Sequence, residues 1–522
     1  MKKISSSILL ISALLLGICS CTGKFDEYQE NPSKFQKLTP NDAAGLYAYQ
    51  SVYSFLGAQY QLNQELTTDL YTQFDAMIVT YFAADRYQIA SGWQADIWRK
   101  WLVQVAPYSY KIYSLYDDTT AENALSRICY VYAMETLCDG RGAIPYGAGN
   151  GEQVRFIGQK EAYHNMIDDL TKAANTLKDK TTCAFASKDR IYGGDCQKWM
   201  KFANTMRMRI ALRLVNKEPE YAQQEAEKAY QAGVLTSTNE EAWYTCDANI
   251  DEWQNYICNV ASWLEFGMSS TMYSYLVGWN DPRLKIYFQP NPMTNTYHCV
   301  RNGMPVSDIK KENSTTGLYV SNYGTNWVTV NSSVNGYDKH FDFPRLILPA
   351  SDAFFIRAEG ALRGWNMGGT AKELYEAGVK ASMKSWGVSD ADAATYLEGT
   401  SDPCKPNDFY DSPAVCEDLC VKYDESAGFE KNLQRICTQR WLGLFTCSSE
   451  AWALIRRSGY PILYPVIKSD DPDINPSKGE FIQRLEYPQE LRSSEGEEAM
   501  KAAYEANGAT EDSQATKLYF AK

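Results

Sequence analysis

Apolar residues recur along this chain at helical spacing, in short Ala-rich segments that come in pairs. That periodicity limits the possible folds more than any other feature. Residues 160–177 put Ala162, Met166, Leu170, Ala173 and Leu177 on one stripe. Residues 197–214 and 220–235 follow, and 351–365 and 370–388 make a later pair. Small residues where helices cross, with larger apolar ones beside them, are similar to antiparallel helix hairpins of the tetratricopeptide kind, with a period of about 34. Further helices are expected over 42–62, with Asn41 as N-cap, and over 95–118, where Pro107 implies a break or kink. A long helix from Ala121 is expected to end at Asp139-Gly140, with a turn-rich loop on to 147; another is expected over 432–461, and a weak one at 481–491. Two stretches differ. Residues 240–347 carry Gly, Pro, Asn and Ser punctuation with β-like pieces such as 318–330, and 398–428 carry Pro403, Pro406 and Pro413. The expected fold is mainly α: a tetratricopeptide-like helical-hairpin scaffold with a loop-rich, partly β insertion.

The N-terminus is an address. Lys2 and Lys3 precede an apolar run, Ile8 to Ile18, far short of the ~20 residues that span a bilayer. Ile18-Cys19-Ser20-Cys21 then reads as a lipoprotein signal over 1–20, with Cys21 lipidated. Cys19 is the poorer choice, because Ile18 before it is not small. An acidic tether occupies 21–40, and 41–522 is read as one domain. With 64 Asp+Glu against 51 Lys+Arg, the net charge of −13 argues against nucleic acid, whose phosphates need a basic face. Three His in 522 residues argue against a site built on several imidazoles. Cys416 and Cys420 lack the CxxC pairs or flanking His of a zinc site. The cysteines beyond Cys21 are either disulfides or buried thiols. No metal and no cofactor is expected.

No nucleotide loop, G-x-S-x-G or H-E-x-x-H sequence is present. Asp352 and Glu359 share a helix face, where a dipole contact and an ion pair explain them better than catalysis. Arg207, Arg209 and Arg213 read as arginines paired with carboxylates. The aromatic residues in irregular segments are more informative. Trp253, Trp263, Trp279, Tyr297, Tyr319, Tyr323 and Trp327 lie in the insertion, and Trp93 in an earlier loop. A flat ring takes the C–H face of a sugar while interleaved polar side chains such as Asn249, Asp251 and Arg301 take its hydroxyls. These eight rings are the candidate ligand contacts.

Several stretches carry a family resemblance: "CTGKFDEYQENP" at 21–32, "WMKFANTMRMRIALRL" at 199–214, "RLILPASDAFFIRAEGALRGW" at 345–365, and the C-terminal blocks 432–461 and 484–491. In them the chain resembles the SusD/RagB family of outer-membrane nutrient-binding lipoproteins. The resemblance implies a SusD-like helical scaffold and a non-catalytic role. The implied protein is lipid-anchored on the cell surface, captures oligosaccharide and passes it to a TonB-dependent SusC-like barrel. Two alternatives stay open: a helical glycoside hydrolase exported as a lipoprotein, and a peptide-binding member of the same family. The signature helices are scaffold, so the resemblance carries no ligand residue over.

Overall fold

The computed structural model describes residues 38–57, 60–89, 91–147, 155–312, 320–331, 336–489 and 497–522. Cys21 and the signal segment lie outside them. The chain divides into a unit Met1–Ala43 and a compact unit Ala44–Lys522. In order, α1 (Pro40–Phe55) is followed by a π-helical stretch (Gln61–Asp69), β1 (Asp75–Met77), α2 (Ser91–Lys100), a second π-helical stretch (Trp101–Val105) and α3 (Ala106–Leu115). Next come α4 (Ala121–Arg141), α5 (Gln159–Leu177), α6 (Cys196–Arg213) and α7 (Pro219–Gln231). The middle alternates short pieces: β2 (Ala242–Tyr244), α8 (Ile257–Trp263), β3 (Phe266–Met268), α9 (Ser270–Gly278), α10 (Leu284–Tyr287), α11 (Val306–Glu312), β4 (Val328–Asn331), β5 (Gly336–Lys339) and β6 (Arg345–Leu348). The remainder is α12 (Ala350–Leu362), α13 (Ala371–Ser385), α14 (Asp390–Leu397), α15 (Gly428–Gly443), α16 (Ser448–Ser458) and α17 (Glu497–Ala506).

The fold is mainly α, and its strands make three two-stranded antiparallel ladders, β1–β3, β2–β6 and β4–β5. Helices α4 to α7 pack each on the next, and α12 and α13 form a hairpin closed by α15. The whole α5 stripe is buried. At the α12–α13 crossing a Cβ on Gly378 would lie 2.8 Å from the Phe355 ring, so only glycine lets the two axes come this close.

Several boundaries differ from those read in the sequence. The first helix starts at Pro40, whose fixed φ suits a first helical position. Thr39 donates to the Asp42 carboxylate at 2.8 Å, so Asn41 is not the cap. Helix α4 runs past Asp139-Gly140 to Arg141 and stops at Gly142, φ 101°. Pro107 does not interrupt the rod, because the π-helical stretch just ahead of it re-spaces the backbone bonds. Residues 481–491 give no helix among those described. Their backbone instead pairs with the end of α4, Leu485 N–H donating to Gly140 O at 2.8 Å. The twelve cysteines from Cys129 to Cys447 are free thiols. Among the described residues no helix is long and apolar enough to cross a membrane.

A buried charge layer ties the helices together. On α6, Arg209 binds Glu135 of α4 through two bonds of 3.1 and 2.5 Å. Arg213 binds Asp139 at 2.8 Å and also Glu450 of α16. Arg440 of α15 joins Glu450 at 2.6 Å to Asp352 of α12 at 2.7 Å. Three guanidiniums thus face three converging carboxylates, which neutralises a cluster that could otherwise draw a cation. A separate unit pairs Arg457 with Glu359 at 2.7 and 2.6 Å. Burial alone would raise the Glu359 carboxyl, but the Arg457 and Arg363 guanidiniums override it and hold the value at about 2. A carboxyl depressed in the folded state gives stability that is full above its unfolded value and is lost as pH falls through the folded one. The urea midpoint should therefore fall between about pH 5 and pH 2. It should fall less steeply in Glu359→Gln, which has no proton to take up there.

Candidate ligand-binding platform

The β1–β3 ladder pairs Asp75 with Met268, Ala76 with Gly267 and Met77 with Phe266. A Cβ on Gly267 would meet Val320 Cγ1 at 2.1 Å, so glycine is required for this close seat. One step further, Ile78 N–H donates to Glu265 O at 2.9 Å. There the strands part. One continues into Tyr81 and Phe82; the other arrives from α8 through Leu264, a non-glycine residue held left-handed at φ 58°.

That divergence presents rings to solvent. Tyr81 is 66% exposed, Trp263 46% and Trp93, on the first turn of α2, 37%. Tyr81, Phe82 and Trp93 run edge to face, with centroids 4.8 and then 5.6 Å apart. Tyr81 donates to Glu265 Oε1 at 2.5 Å, and Gln61 donates to the other oxygen at 2.9 Å. Burial and the Glu265 carboxylate push the Tyr81 hydroxyl up to about 12, so it stays a donor. The loop is clamped from below. Asp85 accepts from Met77 N–H at 3.1 Å, and Arg86 pairs with Asp470 at 2.6 Å. The rings are therefore held in place before any ligand arrives. They line a cavity of about 600 Å³ with Leu66, Ala83 and Gln88.

A cavity of about 710 Å³ lies beside Pro461, Ile462, Tyr464, Ile474 and Phe481. Its lining mixes these aliphatic and aromatic groups with Tyr87 and with the charged Arg456, Asp473 and Lys517. Tyr464 is buried with the Arg301 guanidinium stacked 4.4 Å from its centroid, so that ring face is already taken. The cavity beside Tyr81 and Trp93 is the better platform, because its rings are exposed whereas Tyr87 and Tyr464 are buried.

The structure divides the eight candidate rings. Trp93 and Trp263 are exposed, Trp93 in the wall of the platform cavity and Trp263 two residues before Glu265 in the chain. Trp253 is half-buried under the Arg190 guanidinium, 4.4 Å from the ring, and Tyr297 is half-buried in its loop. Trp279 is interior and donates to Leu419 O at 3.0 Å. Tyr323 and Trp327 are interior too, packed tilted and edge to face among Phe445, Phe343 and Trp386. These three rings are spent on the core and offer no face to a ligand. Tyr319 lies outside the described residues. The composition of the insertion did not distinguish covered rings from open ones. Tyr81, Phe82 and Glu265 escaped the sequence reading; the aromatic doublet in a stretch without helical spacing was the available signal.

Beneath the platform, Glu65, Asp69 and Asp75 converge and could ligate a cation. All three are buried. Burial pushes Glu65 and Asp75 well above the ordinary range, and Tyr323 donates to Asp75 at 2.5 Å. A raised carboxyl takes up a proton more readily, which lessens the repulsion among three buried acids.

The sequence matches the model of the SusD-like family, described as Susd and RagB outer membrane lipoprotein, over residues 36–521. The chain belongs to the SusD-like family. Solved structures agree. A chitin-binding SusD homologue from Flavobacterium johnsoniae is 29% identical, with TM-score 0.78, over 92% of this chain and 98% of that one. A SusD-like protein from Bacteroides thetaiotaomicron is 28% identical with TM-score 0.81 over 92% and 98%, and a second SusD homologue from that organism is 26% identical with TM-score 0.80 over 92% and 99%. No curated protein matched. Membership places this SusD-like chain among outer-membrane lipoproteins.

Proposed function

We propose that this SusD-like protein is a cell-surface lipoprotein, anchored through Cys21, that binds oligosaccharide on the Tyr81–Phe82–Trp93 platform. It hands the ligand uncleaved to a TonB-dependent SusC-like barrel. The observation that carries this reading is the set of open ring faces fixed on a clamped loop. Sugar rings stack on Tyr81, Trp93 and Trp263, while Gln88 and Glu265 meet their hydroxyls. Tethering beside the barrel lets a weak site serve, because effective concentration replaces affinity. A glycoside hydrolase needs two carboxylates about 5–5.5 Å or 6.5–9.5 Å apart across its cleft, and among the described residues lining this cavity there is none. The 29%-identical chitin-binding homologue makes chitin oligosaccharides the first probes.

Calorimetry on the chain beginning after Cys21, with oligosaccharides of chitin, cellulose, starch and xylan, tests the proposal. Heat of binding to at least one series, with no shortened products after long incubation, is the expected result. Silence across all four, or cleavage of any, overturns it.

A further inference from the structure

A second group of rings, one exposed and three half-buried, lies apart from the platform. Tyr49 on α1 is 46% exposed, with Tyr53 at 6.4 Å and Trp253 at 6.3 Å between centroids. Tyr108 of α3 is half-exposed, and the pKa of its hydroxyl is raised first by burial and then by the nearby Tyr49. Arg190 backs the Trp253 ring, and Lys111 stands 5.9 Å from the Tyr108 centroid. Exposed Glu252 and half-buried Lys111 and Gln104 border the group, giving it a polar rim.

Two elements connect this group to the platform. The helical run Ser91–Leu115 is continuous through its π-helical stretch, with Trp93 near one end and Tyr108 further along. Fifteen residues of helix advance about 20 Å and make about four turns, so the two rings return to roughly the same side of the rod. Helix α8 repeats the relation: Trp253 lies just before it and Trp263 is its last residue. That interval also amounts to no more than about 20 Å. Each connection has one end at the platform and the other at the second group.

We infer that Tyr49, Tyr53, Tyr108 and Trp253 form a second saccharide station, and that the ligand is a glycan chain long enough to lie across both stations. The inference rests on the oligosaccharide reading above. It makes the protein a reader of chain length. A short oligosaccharide fills one station, whereas a long one fills both, and its second contact is intramolecular. Short fragments are then released while polymer is retained.

The test uses di-, tetra-, hexa- and octasaccharides of whichever series the wild type binds. The wild-type Kd should tighten at least tenfold from di- to octasaccharide. In Tyr49→Ala/Trp253→Ala that ratio should collapse towards one. An unfolded variant would lose all binding instead, and Tyr49→Ser, at an exposed position, gives the same readout without touching the core. A wild type that binds a disaccharide as tightly as an octasaccharide, or a variant that keeps the length dependence, overturns the second station and leaves the platform standing. Retained length dependence with lost co-purification of the barrel assigns the patch to a protein partner, and overturns the inference as well. Absence of binding at every length is the failure of the oligosaccharide reading itself.

Discussion

Arg213→Met is expected to lower the unfolding free energy by about 3–5 kcal/mol, the usual cost of stranding a buried charge. Arg213 is almost wholly buried on α6 and binds Asp139 on α4 and Glu450 on α16. Methionine keeps most of the volume, so the loss is electrostatic rather than a cavity. Burial disfavours the Glu450 carboxylate, and the Arg213, Arg209 and Arg440 guanidiniums together hold its pKa well down. Without Arg213 the carboxylate keeps two of its three cations, and Asp139 loses its guanidinium partner. Urea unfolding measures the change. The double substitution Arg213→Met/Glu450→Gln should cost clearly less than the two single changes added together, since the second removes the charge the first strands. Additive losses would show that the two groups do not act as a pair.

The charge layer also marks where the sequence stops being informative. Arg209 and Arg213 lie four apart and Glu135 and Asp139 lie four apart, so each pair shares a helix face and ion pairing was legible from spacing alone. Their complete burial was not, because the partners sit 74 and 237 residues away. The α5 stripe was legible for the opposite reason: all the information lies within one helix. The platform divides the same way. Trp93 was a candidate because its segment reads as an irregular loop, although the structure places it on the first turn of α2. Tyr81 was missed because what orients it is Glu265, 184 residues distant. Trp327 was a candidate because its neighbours in sequence are polar, yet Phe445 and Trp386 come from far along the chain to cover it. Local composition counts rings, and only the tertiary fold decides which faces remain open.

That distinction yields a contrast between two tryptophans of the same original candidate set. Trp93→Ala should weaken oligosaccharide binding by roughly 10–100-fold, equivalent to about 1.5–3 kcal/mol for one stacked aromatic surface. Its urea midpoint should move little, because the ring is 37% exposed and meets Phe82 edge to face at the surface. Trp327→Ala should do the reverse. Its ring is 1% exposed and packs 5.8 Å from both Trp386 and Phe445 and 5.7 Å from Phe343. Removal leaves a cavity in a close-packed aromatic layer, at a cost of about 3–5 kcal/mol. The fraction still folded should bind ligand with nearly wild-type Kd. Calorimetry beside urea unfolding on both variants reads the two quantities separately. A stability loss in Trp93→Ala matching that of Trp327→Ala would make Trp93 a structural ring and move the site away from the β1–β3 divergence. A loss of binding without unfolding in Trp327→Ala would require an interior ring to open towards ligand, which its three covering neighbours forbid.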